Sequence, residues 1–156
     1  MININIPGMG ELNLQHLVLD YNGTIAFDGS LIQGVEEKLN QLADALNIYI
    51  VTADTFGTVR QKCRNIKGKM KVLSSSNGAL EKEQFVESLG TEKVVAVGNG
   101  VNDSLMLKKA ALGIIVIGEE GAASLALNNA DIIVKDIHDA LDLLLNKTRI
   151  KATLRS

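Results

Sequence analysis

Four short stretches place polar side chains where chemistry could occur: Asp20-Tyr21-Asn22-Gly23-Thr24, Thr52-Ala53-Asp54, Lys82, and Gly98-Asn99-Gly100-Val101-Asn102-Asp103. Leu17, Val18 and Leu19 run into the first stretch and read as a strand buried on both faces. The run stops on Asp20, and Asn22-Gly23 is a turn dipeptide because both residues tolerate positive φ. Asp20 is therefore expected at the carboxyl end of a buried strand, where open α/β sheets bind their ligands. A carboxylate there can attack phosphorus. Thr52 offers a hydroxyl and neighbouring N–H groups at a helix start, which suits an anion. Lys82 offers positive charge for phosphoryl oxygens. Taken singly, Asp20 is equally well read as the cap of a strand-to-turn junction, and Lys82 as a solvated surface lysine.

The elements that would position these residues alternate along the chain. Ile2, Ile4 and Ile6 alternate with asparagines, Pro7 to Gly10 forms a turn cluster, and Leu12 and Leu14 alternate again, which predicts an edge hairpin. A short hairpin-like flap is expected over residues 25–30. A helix over 35–45 places Val35, Leu39, Leu42 and Leu46 on one face. Strands follow at 48–51, 69–73, 94–97, 112–117 and 132–134. Helices are expected at 56–65, capped by Asp54 or Thr55, and at 80–89, 102–110, 122–127 and 137–145, the last capped by Asp136. Strand and helix in strict turn predict an α/β fold, doubly wound and mostly parallel, with helices on both faces of the sheet and the hairpin at its N-terminus. In the last ten residues Thr148, Ile150, Ala152 and Leu154 alternate with a charged set. This predicts an edge strand, solvated or added to a partner subunit.

Composition narrows the classes. The 156 residues make about one domain, and a 46% hydrophobic share is enough for a real core. Net charge is −2 and aromatics are 3%, which argues against a nucleic-acid groove. Apolar runs are too short to span a membrane and the N-terminus lacks a signal-peptide pattern, so the expected location is cytoplasmic. The single cysteine, Cys63, excludes an internal disulfide and is expected to be buried and inert. His16 is expected to be structural and His138 to lie at the surface.

The four stretches together resemble the motifs of the haloacid dehalogenase (HAD) superfamily of phosphotransferases and phosphatases. Asp20 to Thr24 is similar to the nucleophile loop, Thr52 to the second motif's Thr or Ser, and Lys82 to the third motif's lysine. The Gly98 to Asp103 stretch is similar to the Gly-Asp-Gly-x-Asn-Asp of P-type ATPases and phosphoserine-phosphatase-like members. The continuation from Leu105 to Ile114 and the Thr52-Ala53-Asp54 triplet also resemble the ATPases. The likeness covers about residues 17 to 135 and is strongest to small soluble P-type-ATPase-like phosphatases. It implies a single HAD-like phosphohydrolase domain over 1–156 that forms an aspartyl phosphate on Asp20. Thr52, Ala53, Gly23 and Lys82 would bind phosphate. Mg²⁺ would be held by Asp20, the Asn22 backbone carbonyl, Asn99 and Asp103.

Two departures from the family pattern bear on rate. The residue two after the nucleophile, an acid in the phosphatases, is Asn22, which cannot transfer a proton at ordinary pH. The metal-binding Asp of the fourth motif is Asn99, which carries one negative charge fewer. The expectation is a slow phosphohydrolase or one that favours good leaving groups. The alternative is a phosphate-binding or stably phosphorylated regulatory module. The intervals between the motifs are filled by core elements, so no cap domain is expected. The open site would be covered by a large phosphorylated substrate, small molecule or protein, or by a neighbouring subunit, and a homo-oligomer is the expectation.

Overall fold

The computed structural model describes residues 1–54, 57–74 and 76–156. The chain begins with β1 (Ile2–Ile6) and β2 (Gly10–Leu14), an antiparallel hairpin pairing Ile2 with Leu14 and Ile6 with Gly10. Then come β3 (His16–Asp20) and a small flap hairpin of β4 (Ala26–Phe27) and β5 (Ser30–Leu31). Up to residue 145 the remainder alternates as expected: α1 (Val35–Leu42), β6 (Asn47–Thr52), α2 (Thr58–Lys62), β7 (Lys69–Val72), α3 (Gly78–Leu89), β8 (Val94–Gly98), α4 (Ser104–Lys109), β9 (Leu112–Val116), α5 (Ser124–Leu127), β10 (Ile132–Val134) and α6 (Ile137–Leu145); a last helix, α7 (Thr148–Leu154), follows.

Six strands form one sheet in the order β10-β9-β8-β3-β6-β7, and every pairing is parallel. The chain adds strands to one side of β3 and then crosses to the other side with β8. That reversal makes β3/β8 the topological switch point, where the strand ends diverge and open a crevice. Asp20 ends β3 and Gly98 ends β8, so the first and fourth polar stretches face each other across it.

Both faces of the sheet are covered, which is why its strands read as unbroken apolar runs. Leu17, Leu19, Val95 and Val97 point into one core with Val35, Leu39, Ile137 and the hairpin isoleucines. Val18, Ala96 and Val51 point into the other with Val86, Met106 and Leu107. Among the described residues no helix is long and apolar enough to cross a membrane.

The tail corrects the sequence expectation, since residues 148–154 form a helix and not an edge strand. The apparent period of two contains a pair four apart, Ile150 and Leu154, and that pair is the one used. Ile150 is fully buried and Leu154 packs against the same core, while Thr148 and Ala152 are exposed. The helix lies against β1, with Lys147 Nζ donating to the Asn3 carbonyl at 3.1 Å. Helix two is shorter than expected. The Asp54 carboxylate covers its first turn, accepting from Val59 N at 2.7 Å and Thr58 Oγ1 at 2.8 Å. Thr55 as a cap and Phe56 as a first helical residue lie outside the described residues.

Candidate active site

Asp20 leaves the sheet at the register of Val51, one residue before Thr52, and beside the end of β8. The turn that follows needs glycine. Gly23 has φ 77°, and a Cβ there would collide with the Asn99 amide. A Cβ on Gly98 would come within 2.5 Å of Asp103 Cγ, so that glycine lets the Asp103 side chain fold under the strand end.

Lys82 lies on α3, four residues before buried Val86, and both side chains face the sheet. Its side chain is 1% exposed, which excludes the solvated-lysine alternative. The ammonium contacts Asp20 Oδ1 and Asp103 Oδ1, each at 2.6 Å. Asp103 is fully buried, and its Oδ2 accepts from the backbone N–H of Asn99 and of Gly100, each at 2.9 Å. It therefore fixes the fourth loop and the lysine together. Burial opposes the Lys82 charge, but the two carboxylates outweigh it and hold its pKa above the ordinary lysine value. Asp20 is pushed up to about 7 by burial and by the Asp103 carboxylate, against the pull of Lys82.

Asn22 is exposed at the mouth of the crevice, and Ala53 is exposed at the end of β6. Thr52 is buried, its hydroxyl accepting from Asp54 N at 3.1 Å. The arrangement thus gathers Asp20, Gly23, Lys82, Asn99 and Asp103 closely, with Thr52 on the neighbouring strand.

Thr24 adds a contact that sequence reasoning missed. Its buried hydroxyl lies 3.4 Å from Asp20 Oδ2 and 3.3 Å from Asn99 Oδ1. One hydroxyl hydrogen can satisfy only one of these oxygens. A carboxylate oxygen and an amide oxygen thus converge on a single donor, which is the hard-oxygen set that a divalent cation such as Mg²⁺ takes. The residues present fit such an ion, with a single carboxylate to hold it. Among the described residues no cluster of three His, Cys, Asp or Glu side chains is placed for a metal.

Two further contacts organise the surroundings. Asn99 Nδ2 donates to the Gly121 carbonyl at 3.1 Å and Ala123 N donates to the Asn99 carbonyl at 2.8 Å, so the loop after β9 is strapped to the fourth motif. The Tyr21 hydroxyl donates to the Gly29 carbonyl at 3.1 Å, and Lys62 Nζ donates to the same oxygen, which pins the flap tip. A cavity of about 630 Å³ opens between flap and loop, with Gly23 and Thr24 in its wall. His138 also lines it and is half-buried rather than at the open surface. His16 is structural, its ring 5.8 Å from that of Tyr49.

No protein-family model matches the sequence. The chain is 56% identical over 73 residues, 47% of its own length and 78% of the relative's, to an uncharacterized protein of Methanocaldococcus jannaschii, MJ0073. Among solved structures it is similar to 3-deoxy-D-manno-octulosonate 8-phosphate phosphatase from Moraxella catarrhalis, determined with magnesium ion, phosphate ion and KDO. The TM-score is 0.64 at 17% identity, covering 91% of this chain and 94% of that one. It is also similar to the catalytic domain of the CPx-ATPase CopB-B, with a TM-score of 0.59 at 27% identity over 73% of this chain and 46% of that one. The chain belongs to the same family as the M. jannaschii protein, and it shares the fold of solved structures described as haloacid dehalogenase superfamily hydrolases.

Proposed function

We propose that this chain is a phosphohydrolase in which the Asp20 carboxylate receives the phosphoryl group. The observation that carries the reading is the buried Lys82 ammonium, held 2.6 Å from both Asp20 and Asp103 at the switch point of the sheet. Burying three charged groups in one cluster is costly, and such clusters mark functional sites more often than stabilising ones. The Moraxella neighbour, with magnesium and phosphate bound in the same fold, supports the class of chemistry.

In the first step the Asp20 carboxylate attacks phosphorus, and the bond to the leaving oxygen breaks with its electron pair on that oxygen. In the second, water attacks the phosphorus of the aspartyl phosphate. The bond to Asp20 breaks, the carboxylate is restored, and the water proton passes to solvent. Lys82 offsets negative charge gathered on the phosphoryl oxygens and on Asp20. Asp103 positions Lys82 and the Asn99–Gly100 backbone. Thr52 and the backbone at Ala53 face the phosphoryl oxygens. Asp20, the Asn22 carbonyl and Asn99 would hold Mg²⁺, with Asp103 behind them. The ion supplies charge neutralisation and orientation of the phosphoryl group.

Hydrolysis of p-nitrophenyl phosphate, measured with and without Mg²⁺, tests this reading. The expected result is metal-dependent turnover that disappears in Asp20→Asn. Turnover that ignores the metal, or persists in that variant, overturns it. The exposed amide of Asn22 favours a second reading, a module that binds phosphate or keeps a long-lived aspartyl phosphate. A stoichiometric phosphate adduct in the intact mass after acetyl phosphate, with no multiple turnover, would select it.

A further inference from the structure

The sheet edge formed by β7 carries a charge pattern in which phosphoryl transfer at Asp20 has no part. Of the 16 lysines and arginines, Arg60, Lys62, Arg64, Lys67, Lys69 and Lys71 fall together between residues 60 and 71. That stretch holds no aspartate or glutamate, although the chain has 18 and a net charge of −2. All these cations are exposed, and none joins an ion pair found among the described residues. Lys62 is engaged by the Gly29 carbonyl of the flap. Arg60, Arg64 and Lys69 line one groove of about 140 Å³ with Ile50, Ile66 and Met70. Gathering like charges opposes folding through self-repulsion, and an anionic partner relieves it. The loop between α2 and β7 is fixed from α1. Asn40 Nδ2 donates to the Asn65 carbonyl at 3.0 Å, and Asn40 Oδ1 accepts from Lys67 N at 2.7 Å. A surface fixed in advance loses less entropy when it is occupied.

A second observation concerns the backbone. β7 is the last strand on its side of the sheet and pairs with β6. Leu73 N donates to the Thr52 carbonyl at 2.8 Å, so by alternation the N–H and C=O groups of Met70 and Val72 point away from β6. An unpaired row of this kind is a template for an added strand. Cations stand on both faces of it. Arg60 and Arg64 lie on the α2 side, and Lys71 Nζ is 6.0 Å from the centre of the Phe85 ring on the α3 side. Successive side chains of an added strand alternate between the two faces, so acids at neighbouring positions would meet positive charge on either side.

We propose that the β7 edge and the α2 groove dock an extended acidic segment of a partner protein, added to the sheet as a further strand. The proposal is independent of what Asp20 does. A second copy does not fit edge to edge, because Lys69 and Lys71 would face their own counterparts. A nucleic acid brings negative charge but no N–H and C=O row to pair with the strand, and residues 57–72 hold no aromatic ring on which bases could stack. Edge lysines also deter self-pairing. That role accounts for Lys69 and Lys71 and leaves Arg60 and Arg64, which lie off the strand, without a reason.

The test is fluorescence anisotropy on the whole chain with a short labelled peptide alternating glutamate and threonine. Its counterpart of equal charge, methylated at every backbone nitrogen, is the control. Expected is binding of the first peptide at low salt that weakens as salt screens the charges. Arg60→Glu/Arg64→Glu/Lys69→Glu should weaken it by about tenfold or more, the scale of three exposed ion pairs. The methylated peptide should bind about tenfold more weakly, the worth of one or two backbone hydrogen bonds. On the wild-type chain the first peptide should slow hydrogen exchange at the Met70 and Val72 amides. Equal binding of the methylated peptide, or unchanged exchange at those amides, overturns the docked strand. Tighter binding of a single-stranded RNA or of inorganic polyphosphate overturns the choice of a protein partner. No binding of the first peptide at low salt overturns the proposal as well, and leaves the edge lysines as a guard against self-pairing.

Discussion

Lys82 Nζ stands 2.6 Å from Asp20 Oδ1 across 62 positions of sequence, inside a site where the lysine is closed to water and the aspartate side chain is 11% exposed. Replacing the lysine leaves Asp20 and Asp103 as two buried carboxylates without a counter-charge. Breaking a buried pair in this way costs about 3–5 kcal/mol. Lys82→Ala is therefore expected to lower the unfolding free energy obtained from urea titration by that amount, as well as to abolish hydrolysis. A stability change below about 1 kcal/mol would show that the two carboxylates shed their charge or reach solvent without the lysine.

Asn99 takes part in the oxygen pair around Thr24 and donates its amide to the Gly121 carbonyl. Asn99→Asp loses the donated bond, which costs about 1 kcal/mol. In exchange it supplies a second carboxylate to a site that has one, and cation affinity follows ligand charge. The Mg²⁺ concentration for half-maximal hydrolysis is expected to fall by about tenfold, or about 1.4 kcal/mol. A metal titration of the two proteins decides this, and an unchanged midpoint would remove Asn99 from the cation's ligands.

Cys63 follows α2 and is buried in the core with Val59 and Ile66. Burial, then the Glu36 carboxylate, push its thiol up to about 11 from the ordinary 9, against the pull of Lys62. The thiolate is the reactive form, so the native thiol should resist dithionitrobenzoate at pH 8 and react at once in guanidinium. The linkage has a definite sign. The folded protein keeps this proton more tightly than the unfolded chain between pH 9 and 11, so the cysteine's contribution to stability falls as pH rises through that window. Rapid native labelling would place Cys63 outside the core.

The strand ends were legible because each buried strand is an apolar run that stops abruptly on a polar or small residue, as at Asp20, Thr52 and Gly98. Parallel order followed from the alternation of strand and helix. What local pattern could not supply was partnership at long range. Lys82 looked like any helix lysine, although its spacing to Val86 put it on the buried face. The Thr24 contact spans 75 positions to Asn99, and no periodicity encodes it. The strap from Gly121 was likewise invisible, because a carbonyl oxygen carries no sequence signature.

The tail shows how a pattern of four apolar positions can satisfy two periods at once. Thr148, Ile150, Ala152 and Leu154 are spaced as on a strand, yet Ile150 and Leu154 also lie one turn apart on a helix. The deciding factor is the neighbouring surface. The hairpin presents Ile2, Ile4 and Ile6 on its inner face, and α7 packs against β1 through fully buried Ile150. A strand would have offered Thr148 and Ala152 to that surface as well, and these contribute little apolar area. Ile150→Ala is thus expected to destabilise by about 2–4 kcal/mol, the cost of a large-to-small change in a packed core. Ala152→Ser, at an exposed position of the same strand-like set, should change stability by less than about 0.5 kcal/mol. Urea unfolding of both variants separates the two periods, since an edge strand burying all four positions would make the two substitutions comparable in cost.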